Sequence, residues 1–175
     1  MKAAKVYKYF IIVALLAAAY GGIRILRWSG FFSKKQEKRM SVERTYGMIK
    51  PEAVANGNTG PIVERIEKEG FKIVAMKKMH MYKDLAEIFY EVHREKPFFN
   101  DLVESISSGP IIAMVLEKDG AIAAWRELMG ATNPDEAAEG TLRKLYGTSI
   151  TNNATHGSDA SATAEAEIKL IFPDL

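Results

Sequence analysis

The chain has 175 residues, 47% hydrophobic and 26% charged, which is enough for one domain with a packed core. It contains no cysteine, which excludes a disulfide framework, a cysteine nucleophile and a thiolate metal site. The net charge of +2 hides a split: residues 1–39 carry nine Lys/Arg against Glu37 alone, while residues 40–175 carry 15 Lys/Arg against 21 Asp/Glu. The larger part is mildly acidic, which argues against bulk nucleic-acid binding and requires any phosphate to be met by a few converging cations.

Three sections are expected: a hydrophobic segment over 1–28, a polar linker over 29–40 and a main domain over 41–175. Tyr9–Ile23 is fifteen residues without a charge. Extending it to Trp28 reaches the ~20 residues of a membrane span only if Arg24 snorkels. Four readings stay open. The segment is a single membrane anchor over residues 9–28, or a cleaved signal with Lys2, Lys5 and Lys8 ahead of the apolar run and Ala17–Ala19 as the small-residue site. Alternatively, translation starts at Met40, or the segment is an organelle transit peptide. As an anchor, it has six Lys/Arg between Arg24 and Arg39 against three before the run. That bias orients the main domain to the cytosol; a start at Met40 gives a soluble cytoplasmic protein.

Arg44–Ile49 reads as a strand, broken by Lys50-Pro51. Asn56-Gly57-Asn58 reads as a turn. A helix follows, capped by Thr59 with Pro61 in its first turn, running to Glu69 with Ile62, Val63 and Ile66 as its apolar stripe. Phe71–Met79 is a second strand. Lys83–Val92 and Phe98–Ile106 are helical. Pro110–Leu116 is a continuous apolar run, the mark of a buried central strand. Ala121–Met129 is helical and stops at Gly130. Asn133–Gly140 is a loop with a short helix, Thr148–His156 is extended or irregular, and Ser161–Leu170 is a last helix. The order predicts an α+β fold, a ferredoxin-like βαββαβ sandwich: a four-stranded antiparallel sheet with helices packed on one face.

No GxxxxGK[ST] and no GxGxxG occurs, so a Walker-type kinase is excluded. No HExxH occurs, and histidines at 80, 93 and 156 make no metal cluster. What stands out is Asn153-Ala154-Thr155-His156-Gly157-Ser158-Asp159 ahead of a helix. Thr155 and Gly157 leave room around the His156 ring. Ser158 and Asp159 can cap the helix. Glu167 lies about three helical turns on. It can accept a hydrogen bond from one ring nitrogen, leaving the other as a neutral nucleophile. Read by itself, the pattern favours a loop histidine satisfied by local hydrogen bonds.

NATHGSD, with ERTYGMIKPEAV upstream and RELMGATNP and GTLRKLYG between, resembles the nucleoside diphosphate kinase family over residues 42–172. Four blocks in order are a specific signal. The resemblance implies a γ-phosphate transfer from a nucleoside triphosphate such as ATP to a nucleoside diphosphate. It runs in ping-pong fashion through a phosphohistidine on the pros nitrogen of His156. Ser158 and Glu167 are implied beside the histidine, and Tyr90 near the transferred group. Lys50, Arg126, Arg143 and Thr132 are implied on phosphate, and Asn153 on the ribose 3′-hydroxyl. Phe98 is implied to stack on the base, with Leu102 and Ile150 nearby, which implies broad use of bases. Mg²⁺ is implied between the β- and γ-phosphates of the substrate, without protein ligands. His80 and His93 read as structural or exposed, and Trp125 as packing. The short C-terminus resembles bacterial members and implies a homotetramer, with a hexamer as the alternative. A nucleotide-binding scaffold without useful turnover is the competing reading.

Overall fold

A computed structural model describes residues 42–175. The expected hydrophobic segment, its linker and Met40 all lie outside the described residues. Among the described residues no helix is long and apolar enough to cross a membrane.

The elements in chain order are β1 (Val42–Ile49), α1 (Pro51–Ala55), α2 (Thr59–Lys68), β2 (Lys72–His80), α3 (Lys83–Phe89) and a 3₁₀ turn (Glu91–His93). They continue with α4 (Phe99–Ile106), β3 (Pro110–Asp119), α5 (Ala121–Met129), α6 (Leu142–Tyr146), β4 (Thr155–Gly157) and α7 (Ser161–Ile171). The four strands form one sheet in the order β2-β3-β1-β4, with every pair antiparallel. The expected α+β architecture is therefore present.

The helices do not cover one face only. Along β3, Ile112, Met114 and Leu116 enter one core, while Ile111 and Ala113 enter another. Strand side chains alternate between faces, so the two sets point to opposite sides. The first core includes Ile62 and Ile66 of α2, Trp125 and Leu128 of α5 and Leu142 of α6. The second includes Ala86 and Phe89 of α3, Val103 and Ile106 of α4 and Ile171 of α7. A strand that is apolar at every position needs cover on both sides, and β3 is buried without a break from Ile111 to Leu116. Each large apolar side chain fully buried this way contributes about 1.5–3 kcal/mol.

Several local expectations are corrected. Pro51 does more than end β1: it opens α1, with Lys50 as the residue before the helix. Thr59 is already the first residue of α2, and Asn58 precedes it without a side-chain cap. The short helix expected within 133–140 lies instead at Leu142–Tyr146. Ser158 and Asp159 do not cap α7. Ala160 precedes that helix, Ser158 turns inward to Glu167, and Asp159 Oδ1 accepts from the Thr163 hydroxyl at 2.8 Å. Helix α5 starts after Gly120 in a left-handed conformation, φ 63°. Its exposed amides are met from the sheet, where Ile122 N–H donates to Glu43 Oε2 at 3.0 Å.

Candidate active site

His156 sits in the middle of β4, a strand of three residues, opposite Met48 of β1. Directly opposed residues share a face, so the imidazole belongs with Tyr46 and Met48 on the side covered by α3 and α7. Helix α7 brings Glu167 onto that side. His156 Nε2 lies 2.9 Å from Glu167 Oε1, and the Ser158 hydroxyl donates to Glu167 Oε2 at 2.5 Å. Ser158 Oγ itself accepts the Tyr46 N–H at 3.3 Å. Both carboxylate oxygens are therefore acceptors, and Nε2 is the donor to Oε1. A neutral imidazole protonated at Nε2 carries its lone pair on Nδ1. The ring is walled by Phe89 at 5.2 Å, Tyr90 at 5.7 Å and perpendicular, and Tyr46 at 6.0 Å between centroids.

The histidine is held from below as well. Trp125 is fully buried in the opposite core, and its indole N–H donates to the His156 carbonyl at 3.2 Å. Gly157 makes this approach possible. A Cβ there would lie 2.3 Å from both Cδ1 and Nε1 of the indole.

Three cations converge. Lys50 is buried at the end of β1, and its Nζ donates to the Thr151 carbonyl at 3.0 Å. Burial pushes its ammonium down to about 8, Arg143 adds to the depression and Glu52 opposes it. Arg143 on α6 donates to the carbonyls of Gly130 at 2.9 Å and Thr155 at 3.2 Å. Burial, and then the charge of Arg126, push it down to about 10. Arg126 is exposed on α5, and its charge also reaches Asp159, whose carboxyl is lowered chiefly by the Thr163 hydroxyl. Positive groups that depress one another in this way favour a bound polyanion.

Several buried polar atoms have no protein partner: the hydroxyls of Tyr46, Tyr90 and Thr155, Arg143 Nε, Asn153 Oδ1 and Glu52 Oε2. Such groups are rare in finished cores and mark places where a ligand or solvent completes the bonding. Burial, then the nearby charges of Glu167 and Glu52, raise the Tyr90 phenol well above its ordinary value, so it remains a hydroxyl donor. Asn153 Nδ2 donates to the Thr132 carbonyl at 3.0 Å. Thr132 is exposed, and it is the backbone of this residue that holds the Asn153 side chain.

On the rim, Phe98 is 50% and Ile150 60% exposed, and Leu102 is half-buried. A bond from Ser105 Oγ to Asn152 Oδ1 at 3.1 Å ties α4, which carries Leu102 and follows Phe98, to the loop carrying Ile150. His93 lies between Tyr90 and Phe98, with centroids at 6.3 and 5.8 Å. His80 is away from this group, bonded to the Ser107 carbonyl at 2.9 Å.

Three residues near the histidine are not singled out as site residues by the sequence. They are Tyr46, Trp125 and Glu52, whose Oε1 accepts the Ala154 N–H at 2.9 Å. The only local signal for Glu52 is its place in the Lys-Pro-Glu stretch after β1.

The profile described as "Nucleoside diphosphate kinase" matches residues 43–175. The chain belongs to the nucleoside diphosphate kinase family. A curated nucleoside diphosphate kinase of Geotalea daltonii is 55% identical over 134 residues, covering 77% of this chain and 98% of the relative. That of Persephonella marina is 52% identical over 136 residues, covering 78% and 97%. Among solved structures, the nucleoside diphosphate kinase of Aquifex aeolicus matches with a TM-score of 0.74 at 44% identity, covering 75% of this chain and 96% of that one. The halophilic enzyme of Halobacterium salinarum, solved in complex with CDP, matches with a TM-score of 0.74 at 45% identity, covering 76% and 89%. Family membership thus agrees with the resemblance read from the four sequence blocks.

Proposed function

We propose that this member of the nucleoside diphosphate kinase family carries the γ-phosphoryl group on Nδ1 of His156 between a nucleoside triphosphate and a nucleoside diphosphate. The observation that carries the proposal is the His156–Glu167 pair, which engages Nε2 and leaves Nδ1 as the free lone pair. Nδ1 attacks the γ-phosphorus, the P–N bond forms, and the bond to the β,γ-bridging oxygen breaks with its electron pair staying on the departing diphosphate. The second half runs in reverse with a new diphosphate. No proton needs to move, so the protein's work is positioning and charge stabilisation. Glu167 holds the tautomer and stabilises the positive ring that forms on phosphorylation.

Lys50, Arg126 and Arg143 meet the polyphosphate, the latter two with forked guanidinium donors. Mg²⁺ bound through the substrate's own phosphates would add positive charge there, beside Lys50, Arg126 and Arg143. The orphaned Tyr90 hydroxyl is a donor for the transferred group. Asn153, with its amide nitrogen fixed and its oxygen free, is an acceptor for the ribose 3′-hydroxyl. Phe98 offers an exposed face to any base, because every base has a π-face. Strand β2 is an outer strand of the sheet with Met76 half exposed, an edge that suits pairing with a second copy in a homo-oligomer.

Incubation of the full chain with γ-labelled ATP and Mg²⁺ is expected to give an acid-labile, base-stable protein label. Adding CDP is expected to chase it into CTP. A folded protein that takes up no label would overturn the phosphohistidine mechanism and favour a nucleotide-binding scaffold.

The depressed Lys50 gives a pH signature. Its charged form is the phosphate binder, and that form is lost as pH rises through the folded-state value. In the free enzyme the alkaline limb of kcat/KM is therefore expected to bend near about 8 and to fall about tenfold per pH unit above it. Lys50→Arg stays charged, so its residual activity is expected to lack this limb.

A further inference from the structure

Ala154 is the one residue other than glycine with positive φ among the described residues, at 66°. The Thr155 N–H donates to the Asn153 carbonyl at 2.8 Å, closing a γ-turn centred on Ala154. A positive-φ γ-turn is the rare, strained kind, and such strain persists only where the surroundings over-determine it. Here it lies between Asn153 and Thr155-His156, so its shape sets the spacing between the ribose acceptor and the nucleophile.

The surroundings that fix it come from one short stretch. The Lys50 N–H donates to the Ala154 carbonyl at 2.9 Å, and Glu52 Oε1 accepts the Ala154 N–H at 2.9 Å. The peptide groups on both sides of the strained residue are thereby clamped by Lys50-Pro51-Glu52. Pro51 holds the clamp stiff as the first residue of α1. The second oxygen, Glu52 Oε2, is buried and has no protein partner. The carboxylate also faces Lys50, whose ammonium it favours against burial, and the Tyr90 phenol.

We infer that Glu52 is a positioning residue of the phosphotransfer site, holding the strained Ala154 turn so that Asn153 and His156 meet one nucleotide in register. The inference rests on the phosphohistidine reading above and adds a residue to it.

The test uses the full chain, assayed at pH 6.5, where Lys50 remains an ammonium. Wild-type label uptake and chase are run first, so that failure of the phosphohistidine reading is seen separately. Glu52→Ala is expected to lower kcat/KM for CDP by a factor on the order of ten to a hundred, the range for misplacement of reacting groups. Glu52→Gln keeps a carbonyl acceptor for the Ala154 N–H and is expected to stay within about threefold of wild type. Glycine adopts positive φ freely, so adding Ala154→Gly to Glu52→Ala is expected to recover at least about fivefold. A purely structural role would change the melting temperature and leave the activity of the folded fraction unchanged in all three. The inference is overturned if Glu52→Ala retains full activity, if Glu52→Gln is as impaired as Glu52→Ala, or if Ala154→Gly restores nothing. Should Glu52→Ala not fold, Glu52→Gln decides by itself, with wild-type-like activity expected and a hundredfold loss overturning the inference.

Discussion

Replacing His156 with alanine is expected to lower kcat by at least about 10⁴-fold, because no other group in the site can form the covalent intermediate. The nearest candidates are unsuited. The Ser158 hydroxyl is committed to Glu167 at 2.5 Å, and burial holds the Tyr90 phenol well above its ordinary range. Binding is expected to survive, since Lys50, Arg126 and Arg143 do not depend on the imidazole. Calorimetric titration of His156→Ala with ADP and Mg²⁺ is expected to give a Kd within about threefold of wild type, since only contacts made in the reaction itself are lost. Turnover within a factor of ten of wild type would show that the phosphoryl group does not pass through this ring.

Gly157→Ala is expected to damage both stability and turnover. The added Cβ would meet Cδ1 and Nε1 of Trp125 at 2.3 Å and Cε of Met129 at 2.8 Å. Met129 is flexible and can yield, but the indole is rigid and fully buried, packed edge-on against Phe71 at 6.2 Å. Overpacking at such a site destabilises by about 3 kcal/mol. For a chain of this size that lowers Tm by roughly 6–12 °C. Relief by tilting the indole breaks its bond to the His156 carbonyl, so kcat is expected to fall by about tenfold or more, the scale on which small misplacements act. Trp125→Ala removes the obstacle. The double variant Gly157→Ala/Trp125→Ala is therefore expected to be more stable than the sum of its single changes predicts, by at least about 1 kcal/mol of coupling. Strict additivity in thermal unfolding would show that the two residues do not clash.

Much of the architecture is legible in the chain itself. The unbroken apolar run from Pro110 marks the central strand, and Gly120 and Gly130 bracket α5 at its observed ends, Ala121–Met129. These signals are local: periodicity, chain-breaking residues and glycine's tolerance of positive φ act within a few positions. The residues proposed to bind phosphate are legible only through their resemblance to a family. Taken singly, Lys50 reads as a strand-end lysine and Arg143 as a surface cation.

What the sequence by itself determined is the family, the four-stranded antiparallel α+β architecture and most of its strands and helices. Only the tertiary structure decided that Nε2 is the ring nitrogen of His156 facing Glu167, that helices cover both sides of the sheet, and that Tyr46, Glu52 and Trp125 bond to Ser158, Ala154 and His156. The reason is separation along the chain. Glu52 reaches Ala154 across 102 residues, Tyr46 reaches Ser158 across 112, and Trp125 reaches the His156 carbonyl across 31. Such contacts come from the antiparallel register of β1 with β4 and from the glycine that admits an indole beneath it. Residue types fix what each group can do, and strand register fixes which groups meet.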